Sequence, residues 1–584
     1  MAWRRLRRFL LPPLALGAVV ALLSAASHRP APVAPPTVGF STGFSAGRSA
    51  GRSAGNAREA SPGGRADRDT GRGAAGFDAV VTAVDRVLAT RREAAGIPPA
   101  DVADDLTVLR RLWLALAGTI PSLAEIREFE ADGRPDRLDH WLDRLLADRR
   151  SAEHLARRLA SSLVGDDNGQ FVVFRRDRFT TWLADQIHAN RPFDAIVTEM
   201  VSRQGLWTDT PAVNFVTQAA ANGRIDADKL AGRMARVMLG QRIDCAQCHD
   251  HPFAPYTQAQ FEGLAASFAQ VKFTALGVED DPLRVHRVER PAAAMPATAV
   301  TTMTGAVGPR NVPPRVPFGA EWLPARGTHR ENLAAWLVHP DNHRFDRAIV
   351  NRAWAIVFGR GWHEPVDDVP SPGDARDPGD LLDLLGADFR DHGCDLRRLL
   401  AVLGRSRLAR LASTHPALDS PAGCDAVADA WAAFPLTRLP PAHLIGAMVQ
   451  TTSLRTIDQH SHLLTRTIRF LREIDFVREY GAVQDGQGTA QPATIPQALV
   501  QMNGKFAREL VAANAVTATG RIAGMARDDE ARLELAFLVV LTRRPTAAER
   551  EALLPLLTAA PSRGRGVEDV CWTLFNAPEF CWNH

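Results

Sequence analysis

Residues 105–125, "DLTVLRRLWLALAGTIPSLAE", carry the signals that decide the fold class. Their apolar side chains recur at three- and four-residue spacing, as on one face of an α-helix: Leu106, Leu109, Leu112, Trp113 and Leu116. Gly118 predicts the end of this helix. After Pro121, Ser122 and Glu125 form the sequence pattern of a capping box, which predicts the start of a second helix. The stretch therefore predicts two consecutive helices packed against each other.

The helical periodicity continues on both sides of residues 271–325, which have a different composition. "DRLDHWLDRLL" at residues 136–146 repeats it, and Thr328 with Glu331 predicts a further capped helix after residue 327. Residues 271–325 are rich in Pro, Gly, Val and Thr and predict irregular chain with short strands. The predicted fold class is mainly α. Multi-helix, bundle-like domains are interrupted by an irregular loop and short-strand insertion around residues 271–325.

This pattern also divides the chain. We predict an N-terminal helical domain at 77–270, a connector at 271–325 and a C-terminal helical domain at 326–584. Residues 27–76, rich in Pro, Gly, Ser and Arg, have too few apolar groups to offset the entropy of ordering and predict a flexible linker.

The first residues predict export. "MAWRRLRR" is followed by an apolar run from Phe9 to Ala26 that ends in small residues, as in a cleaved signal peptide at residues 1–26. Retention of this segment as a membrane anchor is the alternative, although Pro12 and Pro13 disfavour a spanning helix. The expected location is the periplasm or the cell surface.

Composition and charge exclude one class of partner. The chain has 584 residues, 46% of them hydrophobic, and a formal net charge of +3. Residues 1–76 carry eleven Arg against Glu59, Asp67 and Asp69, a balance of +8, so the remainder sums to −5. A mildly acidic body is not the electrostatic footprint of a nucleic-acid-binding protein.

The chemistry concentrates in "CAQCHDHPF" at residues 245–253. C-x-x-C-H is the attachment pattern of c-type haem. One helical turn would project the sulfurs of Cys245 and Cys248 and the imidazole of His249 from one face, as two thioether links and an axial ligand require. We therefore predict covalent haem c on Cys245 and Cys248, with His249 as proximal ligand to the iron. Met295 and Met303 follow at distances that suit a distal ligand, although ordinary linker methionines explain them more simply.

Two other interpretations of the motif stay open. Zinc would need four ligands, and His251 is the extra donor nearby, but the adjacency of Cys248 and His249 makes a single tetrahedral site awkward. A Cys245–Cys248 disulfide, structural or redox-active, is the other. The remaining cysteines, Cys394, Cys424, Cys571 and Cys581, could form one or two disulfides whose pairing the sequence does not determine.

The apolar stripes on either side of the motif, and the polar residues of the second helical region, are explained most simply by structural roles. Met234, Val237 and Met238 before the motif, and Phe261, Leu264, Ala265 and Phe268 after it, are expected in the core rather than as a cofactor wall. In "NRAWAIVFGRGWHEPVDD" at residues 351–368, we expect a helix ended by Gly359 and Gly361, with Arg352 or Arg360 paired to Asp367. A polar anion-binding cleft is the alternative.

Several of these stretches together resemble a known family. "GQRIDCAQCHDHPFAPYTQAQFEGLAASF" at 240–268, "HRENLAAWLVHPDNHRFDRAIVNRAWAIVFGRGWHEPVDD" at 329–368 and "LFNAPEFCWNH" at 574–584 are similar to the planctomycete cytochrome-associated secreted family with two paired domains of unknown function. The resemblance implies an exported, largely helical protein, often associated with cytochrome c modules. The family brings no established activity.

The sequence thus predicts an exported c-type haem redox protein that passes electrons to a partner protein. Alternatives are a haem enzyme or sensor with a vacant sixth position, and a non-haem secreted structural or binding protein whose Cys/His cluster is a disulfide or zinc clip. The chain lacks the G-x-S-x-G, H-E-x-x-H and phosphate-loop patterns of common hydrolases.

Overall fold

A computed structural model describes residues 70–165, 174–221, 223–274, 276–288, 310–372, 381–458, 502 and 505–584. All of them belong to one compact unit, Asp69–His584. The predicted signal peptide, most of the predicted linker, Met295 and Met303 lie outside the described residues.

The fold is mainly helical, as predicted, with twenty helices of seven residues or more in the described part of the chain. The helices before the Cys/His motif are α1 Thr70–Ala95, α2 Asp105–Ala117, α3 Leu123–Ala131, α4 Arg137–Ala147, α5 Arg149–Val164, α6 Arg176–His188, α7 Phe193–Ser202, α8 Asn214–Thr217 and α9 Ala227–Leu239. Helix α1 begins inside the stretch assigned to the linker.

The helices after the motif fall into two runs. The first run comprises α10 Gln258–Ala266, α11 His329–Leu337, α12 His343–Phe358, α13 Leu381–Asp391, α14 Leu396–Arg405, α15 Arg407–Arg410, α16 Pro421–Asp429 and α17 Pro441–Gln450. The second comprises α18 Lys505–Val511, α19 Ala518–Met525, α20 Asp529–Leu541, α21 Ala547–Thr558 and α22 Arg563–Phe575. Single 3₁₀ turns occupy Pro211–Val213, Asp244–Gln247, Ala320–Trp322, Pro416–Asp419 and Pro578–Cys581.

The strands are short and pair only as two-stranded antiparallel units among the described residues. These units are β1 Ala220–Ala221 with β2 Arg224–Ile225, β3 Val271–Thr274 with β4 Gly277–Asp280, β5 His286–Val288 with β6 Arg310–Val312, and β7 Thr437–Arg438 with β8 Trp582–Asn583. Four of the eight strands lie within residues 271–325, which confirms the predicted short-strand insertion.

Helix boundaries follow the local signals in the sequence. Gly118 ends α2 in the left-handed conformation, at φ 65°. Reciprocal capping boxes begin α3 at Ser122, α10 at Thr257 and α11 at Thr328. Each box satisfies two backbone N–H groups that a helix N-terminus would otherwise leave unpaired.

One hydrophobic core contains side chains from both predicted helical domains. Trp113 of α2 and Trp354 of α12 are both fully buried within it, and α12 contacts both α2 and α9. Arg330 of α11 adds a polar link, because it pairs with Asp280 at the end of β4 at 2.7 Å. Helix α9, which carries the apolar stripe before the Cys/His motif, therefore packs directly against the second helical region.

None of the described helices is both long enough and apolar enough to span a membrane.

Candidate functional site

The Cys/His motif begins on a 3₁₀ turn rather than on an α-helical one. The turn spans Asp244–Gln247, and Cys248 is its C-terminal cap, with its N–H facing the Cys245 carbonyl at 3.4 Å. Side chains three residues apart eclipse in a 3₁₀ helix. The turn therefore directs Cys245 and Cys248 to the same side, whereas His249 follows after the turn has ended.

Buried neighbours fix this turn to the protein body. Ile243 and Ala246 are buried, Ala246 completely, and the turn contacts α10. Gln258 of α10 donates its side-chain N–H groups to the carbonyls of Gln247 and Cys248, at 3.2 and 3.1 Å. The backbone that carries the two cysteines is therefore fixed both by packing of buried side chains and by hydrogen bonds from Gln258.

Charged groups hold the entry to the turn. Asp244 pairs with Arg236 of α9 at 2.8 Å, and Arg242 pairs with Asp367 at 2.5 Å. Gly232 of α9 permits this approach, since a Cβ there would lie 2.6 Å from Asp244 Oδ1. Sequence reasoning missed this set because its members are far apart in the chain. The one available sign in the sequence was Gly232, because a glycine inside an amphipathic helix usually has a packing reason.

Both motif cysteines are exposed, free thiols. The predicted alternative of a Cys245–Cys248 disulfide is not formed in the structure. Thiols that are unpaired and accessible on one face of a turn are the chemical state that thioether formation or metal binding requires.

The ring of His249 is held in a defined tautomer. Its Nδ1 lies 2.7 Å from the carbonyl oxygen of Asp250. A carbonyl oxygen only accepts, so Nδ1 carries the proton and the neutral ring leaves the Nε2 lone pair without a proton. A backbone carbonyl bound to one ring nitrogen, with the other nitrogen free, is the usual arrangement of a metal-binding histidine.

His251 shows the opposite arrangement. Its Nδ1 accepts a hydrogen bond from the backbone N–H of Phe253 at 3.1 Å, so the proton of its neutral ring is on Nε2. Its own backbone N–H donates to the Tyr256 carbonyl at 2.8 Å. The two histidines are two residues apart, yet only His249 presents an unprotonated outer nitrogen.

Apolar surface lies next to the motif. The Phe253 side chain is 94% exposed, and its ring centre is 6.5 Å from that of His251. A single exposed aromatic ring is common on protein surfaces, so Phe253 shows only that one apolar side chain is accessible beside the motif.

The flanking stripes belong to the core, as expected. The members of both stripes are at most 4% exposed: Met234, Val237, Met238, Phe261, Leu264, Ala265 and Phe268. They pack α9 against α10 and against the second helical region. They therefore form the core that supports the turn, and they do not line an open cavity at the motif.

In the described residues, no group of three or more His, Cys, Asp and Glu side chains is arranged to hold a metal ion. Cys245, Cys248, His249 and His251 thus do not form a ready tetrahedral site.

The predicted ion pair of Arg352 or Arg360 with Asp367 is wrong. Gly359 ends α12 as predicted, at φ 78°. Asp367, however, is bound by Arg242, and Arg360 lies over the ring of Trp431 at 3.9 Å. Arg352 instead donates to Ser162 of α5 at 2.9 Å. The carboxylate is taken by an arginine from the motif segment, which sequence spacing does not reveal.

The other four cysteines are not disulfide-bonded either. Cys424 is exposed and Cys581 half-buried, whereas Cys394 and Cys571 are buried. Burial raises the pKa of both buried thiols to about 12. The disulfides considered for these four residues are therefore not formed in the structure.

Two family models match the chain. PSCyt2, a protein of unknown function (DUF1549), matches residues 83–273, which include the motif. PSD1, a protein of unknown function (DUF1553), matches residues 329–462. No curated protein and no solved structure matches the chain. With both domains present in this order, the chain belongs to the planctomycete cytochrome-associated family that carries this domain pair.

Proposed function

We propose that the protein is an exported c-type haem protein that exchanges electrons with a partner protein. Cys245 and Cys248 attach the haem, and Nε2 of His249 is its proximal ligand. The haem supplies one-electron chemistry when bound. A chain with a single haem needs both an external donor and an external acceptor, so the function is transfer between partners.

The single observation that carries this proposal is the hydrogen bonding around His249. Two free thiols on one side of a turn are followed by an imidazole whose Nδ1–H is bound to the Asp250 carbonyl. This donor set fits the attachment chemistry of haem c, in which two sulfurs and one imidazole nitrogen are needed. The different bonding of His251 supports the choice of His249 over its neighbour.

The chain's own residues supply rigidity and access. Ala246 fixes the turn to the core, and Gln258 holds two of its carbonyls, so the sulfurs keep their positions. The motif lies at the surface, where a partner protein can approach closely. The exposed ring of Phe253 offers an apolar contact for the attached group or for the partner.

Export is consistent with this chemistry. The basic and apolar N-terminal segment has the sequence pattern of a signal for translocation across a membrane. The predicted location remains the periplasm or the cell surface, and the membrane-anchor alternative concerns the same segment.

Expression together with a cytochrome c maturation system tests the proposal. We expect a polypeptide that keeps its haem absorption band after denaturation and acid–acetone extraction. Cys245→Ala or Cys248→Ala should remove a thioether link and reduce the retained band, while the matched exposed cysteine variant Cys424→Ala should keep it.

The two histidines provide a second matched pair. His249→Ala should shift the absorption of the attached haem because the proximal ligand is lost, whereas His251→Ala should leave it in place. A colourless protein with stoichiometric zinc, or with a Cys245–Cys248 disulfide, would refute the haem proposal. It would favour a secreted structural or binding protein in which the cluster is a clip.

A further inference from the structure

A second polar cluster lies away from the Cys/His motif, on one face of α5. His154, Arg158 and Ser162 follow each other at four-residue spacing, which places them in one row along the helix. His154 is buried, with 4% of its surface exposed, whereas Arg158 and Ser162 keep partial contact with solvent.

Side chains from two other helices meet the ends of this row. His443 of α17 lies against His154, with 4.7 Å between ring centres. Arg352 of α12 donates from an Nη atom to Ser162 at 2.9 Å. Arg158 therefore lies between the two contacts, on the face of α5 that meets α12 and α17. We call His154, Arg158, Arg352 and His443 the α5 polar cluster.

The cluster has an excess of positive charge. Within the described residues, no carboxylate forms an ion pair with Arg158 or Arg352. Burial lowers the pKa of Arg352, and Asp367 opposes this shift only from a distance, since it is itself bound to Arg242 at 2.5 Å. Burial, with a smaller effect of Arg352, lowers the pKa of Arg158 to about 10, so its guanidinium stays charged at neutral pH. The exposed Arg157 adds a further nearby cation.

The histidines do not offset this charge. Burial lowers the pKa of His443 to about 3 and that of His154 well below 6.5, and nearby arginines act in the same direction. Both rings are therefore neutral at physiological pH. Two largely buried guanidinium groups, neither paired with a carboxylate among the described residues, repel each other and are poorly hydrated, which an anion between them would relieve.

An unsatisfied polar atom in the cluster also indicates a missing partner. Nε of Arg352 is fully buried and has no hydrogen-bond partner among the described residues. The Arg352 side chain is only 8% exposed. A buried donor without an acceptor costs about 1–3 kcal/mol, so native proteins generally supply the acceptor.

We propose that the α5 polar cluster binds a small oxyanion, a phosphate or a carboxylate, through the guanidinium groups of Arg158 and Arg352. The planar fork of arginine matches two oxygens of such a group and forms charge-assisted hydrogen bonds with it. This site is separate from the proposed haem function and does not depend on it.

Isothermal titration calorimetry of the full chain with inorganic phosphate, and separately with acetate, tests the site at fixed ionic strength. We expect saturable binding of at least one of them, and the comparison identifies which oxyanion the cluster prefers. Arg158→Gln should weaken binding by about tenfold or more, because charge-assisted hydrogen bonds are lost. The control variant Arg527→Gln changes an arginine that is 86% exposed and should bind as the parent does.

Arg158→Lys keeps the charge but loses the fork, and it replaces Arg158→Gln if circular dichroism shows that the latter is unfolded. Reduced affinity in this variant supports bidentate binding. Absence of saturable heat with both anions, or equal affinity in the Arg158 and Arg527 variants, would overturn the proposal.

Discussion

Replacement of Arg330 should destabilise the protein far more than replacement of an exposed arginine. Arg330 is completely buried, and it connects the second helical region to the first. Its guanidinium forms a two-pronged pair with Asp280, at 2.7 and 3.0 Å. It also donates to the carbonyls of Val201 and Arg203, at 2.8 and 3.0 Å.

The expected magnitude follows from what Arg330→Leu leaves behind. The carboxylate of Asp280, 3% exposed, would remain buried without its cation, which typically costs about 3–5 kcal/mol. The two carbonyls would lose their donor, at about 1 kcal/mol each. The free energy of unfolding should therefore fall by about 5–7 kcal/mol, a large part of the total stability of a typical protein.

Urea unfolding followed by circular dichroism measures this change. The matched control is Arg144→Leu, since Arg144 pairs with Glu128 at 3.1 Å but both side chains are more than half exposed. Exposed pairs contribute about 0–1 kcal/mol. If Arg330→Leu lowered the free energy of unfolding by no more than Arg144→Leu does, the argument that this buried pair joins the two regions would be refuted.

Two further predictions concern thiols and acid stability. In the haem-free protein, a thiol reagent should label Cys245, Cys248 and Cys424 rapidly, whereas the two buried cysteines should react only after denaturation; rapid labelling of all six would contradict the packing. Burial raises the pKa of Glu579, but the hydrogen bonds and charges of Arg543 and His584 together outweigh it and bring the value to about 2, below the ordinary 4.5. A depressed carboxyl pKa adds stability above pH 4.5 that is lost as the pH falls towards 2. The unfolding free energy of Arg543→Gln should therefore fall less over this range than that of the parent, and parallel curves would refute the assignment.

Features encoded by neighbouring residues were predictable from the sequence. The capping boxes at Ser122, Thr257 and Thr328 and the terminating Gly118 depend on residues a few positions apart, so local rules identify them. The helical periodicity likewise predicted the fold class, and the Pro/Gly-rich composition predicted the short-strand insertion.

Features decided by distant partners were not predictable in the same way. Asp367 is bound by Arg242, although Arg352 and Arg360 are closer in sequence, because the fold brings the motif segment to α12. The tautomers of His249 and His251 depend on which backbone groups meet their Nδ1 atoms. The spacing of C-x-x-C-H predicted Cys245, Cys248 and His249 as the haem ligands, but it could not predict the hydrogen bonds that the two imidazole rings form.

The most direct test of the central proposal is the mass of one tryptic peptide. Cleavage after Arg242 and Lys272 releases residues 243–272, which contain the whole motif. From protein matured with a cytochrome c assembly system, this peptide should carry one covalent haem and no alkylated cysteine. The same peptide without haem, and with both cysteines alkylated or joined to each other, would contradict the account.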